Sequence, residues 1–261
     1  MKTVLQVALD LLNKERAIKI AKESVNGGVD FIEAGTPLIK SEGMEIIRNL
    51  KDLFPKKTIV ADMKTMDTGA FETEMAAKAG ADIVVILGAS SDSTIKDALK
   101  SSKKYGCKIM IDLIGVKNKI KRVKEIEKYG IDYFCIHTGI DEQMIGGKPN
   151  KILKELIKNT KTPVAVAGGI NSETAGELVK LGATIIIVGG AITKAKDVKK
   201  ATEILKKAIL EKKSISTDLF KKYSKSDLKK AFSIVSTPNI SDAMHKMEAM
   251  KDIRPVKLGY H

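Results

Sequence analysis

The segment DMKTMD places Asp62, Lys64 and Asp67 within one short stretch of chain. In an extended strand a carboxylate and an ammonium two residues apart face the same side. Such a pair can seat a hard cation beside a fixed positive charge, a combination that stabilises an oxyanion on a bound sugar. Other groups of the same kind end short apolar runs elsewhere. Asp10 follows TVLQVAL, Glu33 lies in VDFIEA, Asp112 lies in CKIMIDLI and His137 closes DYFCIH. Glu33 and Asp62 fall on successive runs, so their oxygens can share Mg2+. His137 carries an imidazole whose ordinary pKa, near ~6.5, lets it take and return a proton around neutrality. Two glycine pairs, Gly168–Gly169 and Gly189–Gly190, end two further runs. Their N–H groups can approach a phosphate with no Cβ in the way, and helices opening at Asn171/Ser172 and near Thr193 would add their dipoles. The implied ligand is a phosphorylated polyol or ketose, and the implied reaction passes through a metal-stabilised enediolate.

Each residue alone also has an ordinary explanation. Asp10, before LLNKER, reads equally as a helix N-cap, and Asp141 reads as a cap of the next segment. A lone lysine is usually solvated, and glycine pairs are mostly turns. A single strand-end histidine is more often a satisfied polar residue than a catalyst. The set is harder to dismiss. Asp10, Glu33, Asp62 and Asp112 at one mouth, with Lys64 and His137, would need a compensating cation.

The elements that would gather these residues are legible as a repeat. Apolar, β-branched runs occupy 3–9, 29–34, 57–62, 82–87, 107–114, 132–137, 163–168 and 184–189. Nearly continuous apolar character marks strands buried on both faces. Segments of helical spacing such as NKERAIKIAKESVNGG and TIKDALKSSKKYG separate them, several ending at glycine. Eight strand–helix units predict a closed (β/α)8 TIM barrel over residues 1–211. The competing open, doubly wound sheet would want a glycine-rich loop after its first strand, and ALDLLNKER has none. Residues 212–261 break the period and read as a C-terminal helical extension: a linker, a helix, then a capped helix starting near Asn239–Ser241.

Composition narrows the classes further. The chain has 261 residues and a formal net charge of +14. The lysines are spread at helix-surface spacing, aromatic residues make up 4 % and tryptophan is absent, which favours a solvated surface over a nucleic-acid footprint. No apolar run approaches the roughly 18 residues that span a bilayer. Asp10 and Asn13 interrupt what would be the apolar core of a signal peptide, so a cytoplasmic protein with no membrane partner is expected. Cys107 and Cys135 sit in apolar runs and read as small core residues.

Taken together, AGTPLI (34–39), DMKTMDTG (62–69), HTGIDEQ (137–143), VAGGI (166–170) and IVGGAIT (187–193) resemble the 3-hexulose-6-phosphate synthases, a family of the orotidine 5′-monophosphate decarboxylase superfamily. The resemblance covers about residues 1–210. It implies a Mg2+-dependent aldol addition, with Mn2+ as a substitute metal, joining formaldehyde to ribulose 5-phosphate to give arabino-3-hexulose 6-phosphate, or the reverse. Glu33 and Asp62 resemble the metal ligands, Lys64 the group that stabilises the enediolate, His137 the acid/base and Asp10 a hydroxyl-binding residue. Asp67 resembles a residue that reaches into the partner subunit's site, which implies a homodimer with shared active sites. Asp112 stands where a related decarboxylase family carries glutamate, and is a candidate for substrate binding. STPNISDAMHKMEAMKDIRPVKLG, near the C-terminus, resembles the start of a domain related to the regulator of ribonuclease E activity. Two other readings stay open. A 3-keto-L-gulonate-6-phosphate decarboxylase would be expected to carry arginine after the strand-six histidine and in the last glycine turn, where this chain has Gly139–Ile140–Asp141 and Gly189–Gly190. An RNA-associated regulator would bind nucleic acid with a steep salt dependence.

Overall fold

The computed structural model describes residues 3–139, 150–220 and Ser233. The chain divides into two compact units, Met1–Phe220 and Lys221–His261. In the first unit eight parallel strands close into a barrel in chain order: β1 (Val4–Leu9), β2 (Phe31–Ala34), β3 (Thr58–Thr65), β4 (Ile83–Leu87), β5 (Lys108–Asp112), β6 (Tyr133–His137), β7 (Val164–Ala167) and β8 (Ile185–Val188). The last strand pairs with the first, Val4 opposite Ile185 and Val7 opposite Val188. Around them lie α1 (Lys14–Asn26), α2 (Thr36–Glu42), α3 (Glu45–Leu53), α4 (Gly69–Lys78), α5 (Asp92–Tyr105), α6 (Lys119–Ile126), α7 (Asn150–Asn159), α8 (Ala175–Lys180), α9 (Gly190–Thr193) and α10 (Val198–Glu211). This is a TIM barrel. No described helix is long and apolar enough to cross a membrane.

Strand alternation sorts the side chains into two separate cores. Leu5, Val7, Ile59, Ala61, Val84, Ile86, Ile109 and Phe134 point outward and pack under the helices. Ala8, Val60, Ile83, Val85, Met110, Cys135, Ala165 and Ile187 point inward and fill the barrel. The inward parity continues beyond this apolar filling. It runs from Ala8 to Asp10, from Phe31 to Glu33, from Val60 to Asp62, from Met110 to Asp112 and from Cys135 to His137. The alternation that builds the interior therefore also places the charged residues, all at the C-terminal ends of the strands, where barrels of this type carry their sites.

The helices form where sequence pattern and caps agree. In α1 the buried face is Ala17, Ile20, Ala21 and Ser24, and the Asn13 side chain caps the start by accepting from the Arg16 N–H at 2.8 Å. Asn13, not Asp10, is therefore the N-cap, which leaves Asp10 free for the barrel mouth. In α5 Ser91 caps the start and Gly106, in the left-handed region, ends it. Four features depart from the sequence reading. The short α2 follows β2 directly, with Pro37 in its first turn and Leu38 and Ile39 buried. The expected helix start at Asn171/Ser172 is a turn, in which the Asn171 side chain accepts from the N–H groups of Glu173 and Thr174, and α8 begins only at Ala175. The turn α9 opens on the glycine pair itself and ends at Thr193, where a helix was expected to begin. The expected linker at 212 stays on the barrel as far as Phe220. The capped helix near Asn239–Ser241, the regulator-like motif and Asp141 lie outside the described residues.

Candidate active site

Lys64 owes its position to an irregularity. On β3 Ala61 lies opposite Val84 of β4 and Thr65 opposite Ile86, so β3 carries extra residues between two paired points. Lys64 sits in this bulge with φ at 47°, in the left-handed region that costs a side-chain-bearing residue about 1 kcal/mol or more. Simple alternation is thus not what brings it beside Asp62; the bulge is. Its Nζ donates to Asp62 Oδ2 at 2.8 Å and to Asp112 Oδ2 at 3.2 Å. Burial works against the ammonium, but Asp62 and Asp112 outweigh it and raise the lysine pKa, so the positive charge is fixed at any physiological pH.

Asp112 is the hub of the basic side. Oδ2, already bonded to Lys64, is also 2.8 Å from His137 Nδ1, and Oδ1 accepts the Ile114 N–H at 2.9 Å. The residue is 2 % exposed. Burial alone would raise its pKa; the His137 hydrogen bond and charge, with Lys64, overcome that and lower it. A carboxylate against Nδ1 holds the proton on that nitrogen and leaves Nε2 as the basic one. Sequence reading placed Asp112 at the mouth without a definite role. A signal existed in its inward parity, two residues above Met110.

The acidic side is overcrowded. Glu33 is buried and accepts a hydrogen bond from Gln6 Nε2, a residue the sequence reading passed over. Burial first, then Asp62 and Asp10, push the Glu33 carboxyl well above the ordinary range. Asp10 stands at the rim against backbone. A Cβ on Gly35 would fall 2.2 Å from its Oδ1, so only glycine fits there, and one on Gly189 would fall 3.7 Å from its Oδ2. The surrounding wall and Asp62 raise the Asp10 pKa, partly offset by Lys64 and His137. Asp62 Oδ2 takes Lys64 and the Thr36 hydroxyl, the latter at 3.0 Å, while Asp62 Oδ1 and Gln6 Oε1 are buried with no hydrogen-bond partner. A buried carboxylate oxygen left unpaired among surplus negative charge suits a hard divalent cation. Among the described residues no three acidic, histidine or cysteine side chains are grouped as a metal cage. Glu33 and Asp62 would therefore share such an ion with water or substrate oxygens.

Across the mouth, charge gives way to backbone. Gly168 (φ 103°) and Gly169 (φ 66°) follow β7 in conformations that favour glycine. Gly189–Gly190 follow β8 and open α9. Asp67 does not join the cluster. It is exposed on the loop into α4, between two exposed apolar side chains, Met66 at 55 % and Phe71 at 65 %.

A closed (β/α)8 barrel whose open end gathers a lysine and a histidine on one buried carboxylate, beside further acids, has the layout of an enzyme active site. The chain belongs to the orotidine 5′-phosphate decarboxylase / HUMPS family, which it matches over residues 3–204, and it is an enzyme of that family. It is 42 % identical over 210 residues to 3-hexulose-6-phosphate synthase of Bacillus subtilis (strain 168), covering 79 % of this chain and 99 % of that one. The crystal structure of 3-hexulose-6-phosphate synthase from Salmonella typhimurium superposes with a TM-score of 0.77 at 38 % identity, over 81 % of this chain and 100 % of that one. The crystal structure of KGPDC from Streptococcus mutans gives a TM-score of 0.76 at 30 % identity over 80 % of this chain and 98 % of that one.

Proposed function

We propose that the chain catalyses the aldol addition of formaldehyde to D-ribulose 5-phosphate, forming D-arabino-3-hexulose 6-phosphate, or the same reaction in reverse. Relatives named for this activity support the reading, and the side-chain geometry supplies a route. The Gly168–Gly169 and Gly189–Gly190 loops bind the phosphate through backbone N–H groups, which carry no bulk between donor and ligand. Asp10 accepts a hydrogen bond from a sugar hydroxyl at the rim. Mg2+, or Mn2+ in its place, held by Glu33 and Asp62 would polarise the adjacent keto and hydroxyl oxygens of the sugar.

His137 Nε2 removes a proton from C1 of the pentulose, and Asp112 stabilises the imidazolium that results. The enediolate carries negative charge towards Lys64, whose half-buried ammonium is already held in place by Asp62 and Asp112, so little reorganisation is needed. C1 then attacks the formaldehyde carbon, one carbon–carbon bond forms, and the aldehyde oxygen takes up the proton from His137. Asp67, exposed beside Met66 and Phe71, belongs to a partner's site across a homodimer interface formed by this apolar rim.

The observation that carries the reading is the shared Asp112 oxygen, which ties one fixed cation and one proton carrier to the same point beside Asp62. The test is direct. Purified protein with Mg2+ should consume formaldehyde and ribulose 5-phosphate in equal amounts. No consumption, together with CO2 release from 3-keto-L-gulonate 6-phosphate, would replace the aldol reading with a decarboxylase that shares the enediolate.

A further inference from the structure

Beyond α10 the chain does not leave the barrel at once. Lys212 adopts a left-handed conformation (φ 55°) and turns the backbone. The segment 213–220 then crosses the loops that follow β7 and β8. The Ile215 N–H donates to the Ser172 carbonyl at 3.0 Å, and Ser172 Oγ donates to the Ile215 carbonyl at 2.6 Å. Ser216 Oγ donates to the Glu173 carboxylate at 2.9 Å. Further along, the Leu219 carbonyl accepts the Lys196 N–H at 3.1 Å. Phe220 packs against the core, and its ring lies 3.8 Å from the place a Cβ on Gly190 would take.

The crossing is tight. A Cβ on Gly176 in α8 would fall 2.5 Å from both the N and the O of Lys213, so α8 has glycine where the segment passes. The two anchors are Ser172, in the turn just after Gly168–Gly169, and Lys196, just after the turn that opens at Gly190. The segment lies beyond residues 3–204, over which the family is matched. It follows the last barrel helix and is bonded to the loops after β7 and β8 at once.

We propose that residues 213–220 form a strap that fixes the β7 and β8 glycine loops relative to each other and so sets affinity for the substrate's phosphate. The proposal rests on the reading that these loops hold that phosphate. Two loops that donate N–H groups to one anion bind it best when their spacing is set beforehand; otherwise ordering them on binding subtracts from affinity. The strap touches no substrate and acts through Ser172, Lys196 and Gly190, as a positioning element. The phosphate is held alike before and during the chemical step, so loosening the strap raises KM and leaves kcat.

The test uses the full chain with Ser172→Ala, which removes one hydroxyl, and Phe220→Ala, which removes the ring beside Gly190. The probe is inorganic phosphate, as a competitive inhibitor. In each variant its inhibition constant and the KM for ribulose 5-phosphate should rise about three- to tenfold, with kcat within about twofold, as expected for loss of one modest interaction. Amide hydrogen exchange should quicken at Gly169–Ser172 and at Gly190–Thr193. Faster exchange with unchanged phosphate constants overturns the proposal, and so does unchanged exchange. Gly169→Ala separates the two readings. If it raises KM while both strap variants do not, only the strap fails. If wild type is not inhibited by phosphate and Gly169→Ala leaves KM untouched, the phosphate assignment fails first and the strap with it.

Discussion

From β1 to β6 the barrel mouth is lined by charged side chains, whereas across β7 and β8 it is lined by backbone. The first arc holds Asp10, Glu33, Asp62, Lys64, Asp112 and His137, and its crowding raises the pKa of Asp10, Glu33 and Lys64 and lowers that of Asp112. The second arc holds Gly168, Gly169, Gly189 and Gly190 and no ionisable side chain at the strand ends. Charge that must change during a reaction calls for groups preset in a low-dielectric place. An anion that stays unchanged calls only for close, rigid donors. On the function proposed above, the first arc governs turnover and the second holds the phosphate.

Changes in the charged arc should break that division most severely. Lys64→Met is expected to lower kcat by about 10³-fold with little change in KM, read by steady-state formaldehyde consumption. Treatment with EDTA should abolish turnover to a similar degree and added Mg2+ should restore it; full activity after chelation, verified by metal analysis, would remove the cation from the site. His137→Gln should cost about 10²- to 10³-fold in kcat. Gly169→Ala, on the other arc, forces a Cβ into the left-handed region and should raise KM only about fivefold. A fall in kcat there as large as that of Lys64→Met would erase the contrast.

Stability against pH sharpens the comparison within the charged arc. Asp112 has a lowered folded-state pKa, so it stabilises the fold at neutral pH and loses that contribution as pH falls through its folded value, below the usual 3.8. Asp112→Asn should therefore melt lower than wild type at pH 7, with the gap closing in strong acid. Glu33 has a raised folded-state pKa, so its favourable contribution holds below about 4.5 and disappears as pH climbs through the folded value. Metal-free Glu33→Gln should melt higher than metal-free wild type at pH 7 and the same near pH 4. Each kcal/mol corresponds to about 2–4 °C in a domain of this size. The smallest effect concerns Asp67. If the chain forms the proposed homodimer, mixing inactive Asp67→Ala and inactive His137→Ala chains should restore part of the activity, and no recovery after proven subunit exchange would mean that Asp67 does not cross into a partner's site.

Much of the fold was legible because burial on both faces leaves a continuous apolar run, and the eight runs map onto eight strands. The acids and the histidine were legible for the same reason: they interrupt the runs at the inward parity. What escaped reading was whatever depends on geometry that parity does not encode. The β3 bulge at Lys64 has no sequence mark of its own. Gln6 looks like one polar interruption of an apolar strand, and its bond to Glu33 exists only once β1 and β2 are side by side. The role of Asp112 as common partner of Lys64 and His137 needs β3, β5 and β6 in place. The strap after α10 is polar and aperiodic, and becomes meaningful only against Ser172 and Lys196.

Gly35 gives the rim a property that no scan for reactive groups would find. Its missing methyl is the mould into which Asp10 is cast, and a Cβ there would also fall 2.9 Å from the Leu9 carbonyl oxygen. A single alanine at residue 35 would act as a wedge, evicting an unmodified aspartate from its seat. Anyone redesigning this rim for a different sugar would have to move a corner of main chain before exchanging any acid.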